Sequence, residues 1–395
     1  MSATHDHDRT TSATAPLYLA FELGWTSWGL AFSTAPALPP RRVTIPARDL
    51  GSLRREIDRA RRRFGLADDA PVRSCYEAGR DGFWLHRYLL AQGIANSVVD
   101  SASIEVQRRG RRRKTDRLDA AKLLNMLQRW HGGEQKVWSV VQVPGADDED
   151  RRQLHRDLVE LKAERTQHVN RLKGLLAGCG LALAQVNETF PEVLAGLRTW
   201  DGRPVPPALQ QRLLREHERW RFVGRQIKDV ENERDRTIRK SEEPPVSKVR
   251  QLLNLRGIGV NSAWLYVMEF FSWRQIRNRK QLGSLAGLTP TPYQSGDSAG
   301  EQGISKAGNR RLRTMAVEIA WCWLQYQPDS ALSAWYQQRF AKGSSRQRRI
   351  GIVALARKLL VALWRYLEVG EVPKGATVVD WKTKYRGRKQ AAAAV

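Results

Sequence analysis

The chain has 395 residues and a formal charge of +26, from 67 Lys and Arg against 41 Asp and Glu, with a pI near 10.6. A mean hydropathy of −0.53, with no apolar run near the roughly 20 residues of a spanning helix, excludes a membrane protein, and the charge points to a polyphosphate partner bound in a salt-dependent way. Three cysteines, Cys75, Cys179 and Cys322, lie far apart without clustered histidines, which excludes a disulfide framework and a structural zinc site and leaves buried thiols as the reading. Length allows two or three domains.

Residues 1–15, MSATHDHDRTTSATA, are polar and lack the apolar core of a secretory signal; a disordered N-terminus and a cytoplasmic location are expected. Between residues 16 and 146 strand-like and helix-like patterns alternate. LYLAFEL, SWGLAFST and RRVTIPA read as strands, and DLGSLRREIDRARRRF reads as an amphipathic helix with Leu50, Leu53, Ile57 and Phe64 on its apolar stripe. PVRSCYEAG is a fourth strand, GFWLHRYLLAQG a helix, NSVVDSA a fifth strand, and a helix from about Lys114 to Trp130 closes the segment. This order predicts a mixed α/β sheet with ligands gathered near its strand ends.

Residues 147–245 change character. One long helix is expected from DDEDRRQLHRDLVELKAERTQHVNRLKGLLAG, with Leu154, Leu158, Leu161, Val169, Leu172 and Leu176 forming a narrow apolar seam. A second, from about Pro207 to Lys240, carries Leu213, Trp220, Val223, Ile227 and Val230. Residues 180–206 connect the two with short helical pieces. So narrow a seam suggests packing between subunits as a coiled coil; a hairpin folded on its own chain is the alternative.

SEEPPVSK breaks the helix, and residues 246–381 form a last, helical domain. VRQLLNLRGIGVNSAWLYVMEF gives a helix, a turn at Gly257 to Gly259 and a second helix, a helix-hairpin-helix pattern whose backbone amides can approach a phosphate; a turn between two core helices reads equally well. In AGLTPTPYQSGDSAGEQGISKAGNRRLR, Pro290, Pro292, Gly296, Gly300 and Gly303 predict a loop carrying Ser295, followed by Lys306, Arg310, Arg311 and Arg313. A serine in such a loop is ordinarily structural. Later helices repeat Ile352, Leu355, Leu359, Leu360, Leu363 and Leu367 at core spacing. Residues 382–395 form a basic tail.

Carboxylates carry the remaining signal. In RRGRRRKTDRLDAAKLL, residues 108–124, Asp116 and Asp119 follow Arg111, Arg112, Arg113 and Lys114. A helix would bring the aspartates to one face, Cβ atoms roughly 5–6 Å apart. A solvated charged face is one reading; the other sets a divalent cation between the acids with the arginines on a phosphate backbone. Glu22 lies inside an apolar strand, where an ionised carboxylate needs a partner or a metal, and Glu77 ends the fourth strand. Together the four acids are a candidate set for two hard cations, Mg²⁺ or Mn²⁺.

The order FELGW, CYEAG, KTDRLDAAKL resembles the four-acid, RuvC-like domain of the insertion-sequence one-hundred-and-ten transposases, relatives of the Piv and MooV invertases, and residues 246–325 resemble that family's C-terminal transposase domain. The resemblance implies an RNase H/RuvC-like nuclease domain over residues 16–146, a coiled-coil linker over 147–245 and a transposase domain over 246–381. Glu22 then takes the place of the first acid, usually aspartate, Glu77 the second, and Asp116 and Asp119 the last two. Ser295, ahead of GISKAGNRRLR, becomes the implied nucleophile, with Ser305 its closest competitor, and Lys306, Arg310, Arg311 and Arg313 neutralise phosphate. The resemblance also implies a bacterial, nucleoid-associated DNA recombinase acting as a homo-oligomer, dimer or tetramer, with a structured bridge RNA as guide. Two other functions stay open: a metal-dependent junction nuclease in which Ser295 is only a turn residue, and an architectural nucleic-acid binder.

Overall fold

The computed structural model describes residues 15–104, 116–295 and 298–383, leaving aside the side chains of 116–119 and 292–302. Arg111, Arg112, Arg113, Lys114 and the expected N-terminal and C-terminal tails up to residue 14 and from 384 lie outside the described residues. The chain divides into two compact units, one ending at Val143 and one beginning at Pro144. Among the described residues no helix is long and apolar enough to cross a membrane.

The first unit runs β1 (Leu17–Leu23), β2 (Ser27–Ser33), β3 (Arg41–Pro46), α1 (Leu50–Arg63), β4 (Val72–Glu77), α2 (Trp84–Ala91), β5 (Ala95–Val99) and α3 (Asp116–His131). The strands form one sheet in the order β3-β2-β1-β4-β5. β1, β2 and β3 pair antiparallel, whereas β4 and β5 join β1 in parallel, so the sheet is mixed, as expected. Its faces differ because strand residues alternate sides. Leu17, Leu19 and Phe21 of β1, with Leu30 and Phe32 of β2, pack on Leu53 and Ile57 of α1 and Leu85 and Leu89 of α2. The opposite face is built of small residues, Ala20, Ala31 and Cys75, and receives Ala120, Leu123, Leu124 and Leu127 of α3. Short side chains let this helix close in, and the Cys75 sulfur lies 3.7 Å from the Leu123 carbonyl oxygen. Burial pushes the Cys75 thiol up. Cys179 and Cys322 are only half-buried, unlike the expectation for all three.

The second unit opens with α4 (Ala146–Arg151) and α5 (Gln153–Ala177), continues through α6 (Phe190–Gly196) to α7 (Pro207–Lys240), and then α8 (Pro244–Leu253), α9 (Val260–Tyr266) and a π-helical segment (Val267–Phe271). The single helix expected before residue 178 is thus two, divided at Arg152. α5 and α7 pair antiparallel within the chain through Leu158, Leu161, Val223 and Ile227. The seam expected to meet another subunit therefore finds this partner in its own chain. Glu216 is buried in this hairpin and accepts from His168 Nδ1 at 2.7 Å and Arg219 at 2.8 Å.

Near the start of α5, Arg156 makes a forked pair with buried Glu269 of the π-helical segment, at 2.7 and 3.0 Å. Beside it His155 is 3% exposed, and neither ring nitrogen has a hydrogen-bond partner among the described residues. Burial first, then the charge of Arg234, pushes its pKa down to about 4.

The rest of this unit comprises α10 (Arg279–Leu285), β6 (Pro290–Ser295), β7 (Ser298–Ile304), α11 (Arg310–Tyr326), α12 (Ala331–Phe340) and α13 (Ser345–Val369). Helices α8, α9, α11 and α13 share a core containing Trp264, Phe270, Trp323, Leu355 and Leu359. The proline- and glycine-rich stretch expected to be a loop is instead an antiparallel β6–β7 hairpin, with Ser295 paired to Ser298. A two-stranded ribbon has free edges on both sides, and there Pro290 and Pro292 need not donate a ladder hydrogen bond.

The histidine gives the fold a pH signature. Between pH 6.5 and 4 the unfolded chain binds a proton at residue 155 that the folded chain refuses, so stability falls as pH is lowered through that window. The contribution is about 3 kcal/mol at most. His155→Leu should flatten the drop in thermal midpoint; His86 and His131, displaced the same way by burial, leave part of it. An unchanged slope in the variant would contradict the assignment.

Candidate functional site

Glu22 stands next to last in β1 and Glu77 ends β4, its parallel neighbour. By strand alternation Glu22 follows Ala20, and Glu77 follows Cys75, onto the face that α3 covers. Both line one pocket of about 230 Å³, with Leu23, Tyr76, Ala78, Gly79, Arg80 and Asp81. Gly29 is the cross-strand partner of Glu22, and a Cβ there would lie 3.4 Å from that of the glutamate. The glycine leaves the carboxylate side room.

The course of α3 relates the aspartates to this pocket. The Tyr18 and His131 rings meet at 5.8 Å, joining the start of β1 to the end of the helix, and Cys75 meets Leu123 farther along. The helix therefore runs antiparallel to β1. Asp119 lies about 6 Å and Asp116 about 10 Å beyond Leu123 along the helix axis. In the same direction Glu22 and Glu77 lie about 7 Å beyond Ala20 and Cys75 along their strands. The first turn of α3 is directed toward the strand ends that carry the glutamates. The side chains of Asp116 and Asp119 are outside the described residues.

Among the described residues no group of three or more His, Cys, Asp or Glu side chains converges to hold a metal ion. Two carboxylates at neighbouring strand ends, with a helix bringing two further acids toward them, are oxygen donors of the type that Mg²⁺ and Mn²⁺ take. In that respect the donor set fits the expected cation.

The second candidate region is built around two left-handed glycines. Gly287 (φ +66) faces the Ala307 carbonyl and Gly308 (φ +94) the Leu285 carbonyl; a Cβ would come within 2.0 and 2.2 Å of these oxygens. The two turns interlock through Ser305 N–H to Thr289 O at 2.8 Å, Lys306 N–H to Gly287 O at 3.2 Å and Asn309 N–H to Leu285 O at 2.9 Å. The Asn309 side chain caps α11 by accepting from Leu312 N–H. Arg310 and Arg311 follow exposed, whereas Arg313 donates to the Ala286 carbonyl. The side chain of Ser295 lies outside the described residues. Gly257 is left-handed (φ +88) and its Cα faces Tyr326 so closely that a Cβ would sit 3.2 Å from the tyrosine Cβ. Gly259 caps α9, which has seven residues.

Sequence reading missed a groove of about 1680 Å³ along one face of α13. Its floor is aliphatic, with Leu288, Ile304, Ile350 and Val353, and among the described residues nine Lys and Arg line it, Lys306, Arg349, Arg357 and Lys358 among them, against the acid Glu371. The spacing of Arg346, Arg349, Arg357 and Arg365 was a visible signal, hidden by the core heptads on the other side of the same helix.

A family model described as Transposase IS116/IS110/IS902 family matches residues 249–337, from α8 to α12. The chain is 44% identical over 314 residues to y4rJ of Sinorhizobium fredii, which carries a transposase name, covering 76% of this chain and 78% of that protein. It is 26% identical over 226 residues to the transposase for insertion sequence element IS1328 of Yersinia enterocolitica, covering 55% and 63%. With the transposase for insertion sequence element IS1111A of Coxiella burnetii it shares 23% identity over 284 residues, 71% and 74% of the two chains. Similarity of this extent defines a DNA-processing enzyme of the transposase class. The chain belongs to the IS116/IS110/IS902 family of insertion-sequence transposases.

The interlocked glycines give a paired test. Gly303 is also left-handed (φ +94), yet nothing among the described residues stands within 4 Å of a Cβ there, while at Gly308 the Leu285 carbonyl does. Gly308→Ala should therefore lose about 1–3 kcal/mol more stability than Gly303→Ala, measured by denaturant titration of both variants; equal losses would refute the close approach.

Proposed function

We propose that the protein cuts and rejoins DNA strands at an insertion sequence, with Glu22, Glu77, Asp116 and Asp119 holding Mg²⁺ or Mn²⁺ and the Ser295 hydroxyl attacking a phosphodiester, so that a serine–phosphate ester forms as one P–O bond of the strand breaks and that strand end leaves as a sugar hydroxyl with the proton the serine gives up. One observation supports this above the others: Glu22 and Glu77 share a pocket at neighbouring strand ends, on the face along which α3 leads toward its first turn. A divalent ion held there would supply charge neutralisation at the phosphate and activation of a ligated oxygen.

The protein's own groups do the rest. Glu22 is longer by one methylene than the family's usual aspartate, and Gly29 opposite gives it space to reach the ion. Lys306, Arg310, Arg311 and Arg313 neutralise the phosphate attacked by Ser295. Arg111, Arg112, Arg113 and Lys114, with the backbone at Gly257 and Gly259, hold phosphates without reading sequence. Sequence is read by a structured guide RNA pairing with donor and target DNA, and the cationic groove along α13 offers a track for its backbone. A homo-oligomer gathers the paired DNA sites. The domain division proposed is a RuvC-like nuclease domain through residue 146, a helical linker to 245 and a transposase domain to 381.

A second reading is hydrolysis by the acids alone, favoured by the position of Ser295 at the end of β6 opposite Ser298, where a hairpin turn begins. Protein, Mg²⁺ and DNA bearing an element end, digested and analysed by mass spectrometry, distinguish the two. Strand transfer predicts a nucleotide on Ser295, and Ser295→Ala should abolish that adduct and lower strand exchange by about 10³-fold or more. Asp116→Ala and Glu77→Gln should remove cleavage and adduct together. Cleavage retained in Ser295→Ala would move the assignment to hydrolysis.

A further inference from the structure

The turn between β1 and β2 presents Trp25 to solvent at 64% exposure, beside the acid pocket. It is held rigidly: Gly24 N–H donates to Ser27 O at 3.0 Å, and Ala47 N–H to Thr26 O at 2.9 Å. Two guanidinium groups lie against its ring, Arg48 at 4.8 Å and Arg80 at 4.9 Å from the ring centroid. Arg48 also donates to the Trp25 carbonyl at 3.2 Å and to Asp81 at 3.1 Å. Arg80 and Asp81 line the same pocket as Glu22 and Glu77.

Two features are hard to explain as packing. Arg48 has φ +66, a left-handed conformation that is costly for a residue with a Cβ and that concentrates at functional sites. Its ion pair joins a guanidinium 43% exposed to an Asp81 carboxylate only 7% exposed, so the contact anchors one side of Arg48 and leaves much of the guanidinium open to solvent. The cluster also keeps a net positive charge, two arginines against Asp81. An exposed indole continued by guanidinium planes is a surface on which a nucleobase stacks, while the same cations take the adjoining phosphate.

We propose that Trp25, Arg48 and Arg80 form a platform that holds one unpaired nucleotide of a nucleic-acid strand at the mouth of the acid pocket. A base taken out of the duplex there leaves its flanking phosphate within reach of Glu22 and Glu77. The site takes an unpaired nucleotide in preference to a duplex because the ring and guanidinium faces offer stacking area but no groove-reading element. This inference rests on the reading of the pocket as the place where nucleic acid is processed.

The test uses the full-length protein with single-stranded oligonucleotides of about twelve nucleotides carrying a 5-iodouracil, as DNA, as RNA and as the matching duplex DNA. Excess EDTA is present throughout, so the outcome does not depend on metal binding or cleavage. After irradiation and digestion, the cross-linked peptide is sequenced by mass spectrometry. The expected product joins uracil to Trp25, at a yield from single strand about fivefold or more above that from duplex. Trp25→Ala should lose it, and the double variant Arg48→Ala, Arg80→Ala, which keeps the ring, should lower it by a similar factor. Trp28, in the same peptide, is fully buried and serves as the internal control. Preference for the DNA or the RNA arm identifies which strand is held. Cross-links confined to other peptides, or equal yields from single strand and duplex, would overturn the platform; a Trp25 adduct in a protein that shows no metal-dependent cleavage would sink the reading of the acids and leave the platform standing.

Discussion

Close approach of α3 to the sheet is the constraint on which the first unit depends. It is possible because β1, β2 and β4 each offer a small residue at the contact, Ala20, Ala31 and Cys75, all fully buried. Helix and strands are thereby fixed in relative direction as well as distance, since Tyr18 meets His131 at one end and Cys75 meets Leu123 midway. The first turn of α3 is directed toward the strand ends of Glu22 and Glu77 because of that direction. A bulkier face would hold the helix away, and residues far apart in sequence would lose their common region of space.

The elements of this unit were legible because each expresses one clear period. β1 alternates large and small residues on its two sides, and α1 repeats Leu53, Ile57 and Ala60 against the sheet, so boundaries fell within a few residues of those found. The β6–β7 hairpin was not legible. Prolines and glycines mark turns by their local preferences, and nothing local shows that a ribbon with two open edges tolerates them. α5 and α7 displayed the seam without its partner, because the same narrow stripe serves a hairpin or an oligomer. Glu22 and Glu77 stood out as acids at strand ends; the Trp25 cluster did not, since three separate turns bring its members together. Gly308 was visible as a glycine, but the carbonyl facing it comes from the preceding helix–turn segment.

The second unit concentrates its charge differently. At the base of the α5–α7 hairpin, Arg156 and Glu269 are neutralised by each other in a buried fork, which fixes geometry and leaves little field outside. Along α13 the cations are spread over an apolar floor with hardly an opposing acid among the described residues, which projects a field into solvent and suits a long anionic partner. One unit thus uses the same residue type for internal registration and for external attraction, and position relative to the hydrophobic core decides which.

The stripe Ala20–Ala31–Cys75 also bears on how copies of such an element decay. Under the proposed chemistry, a copy that keeps the four acids and Ser295 would be counted as competent from those residues alone. A single methyl or two gained beneath α3 displaces the helix while all of those residues stay in the sequence. Silent copies of this kind would be recognised only by reading the three inert positions that nobody would choose as markers of chemistry.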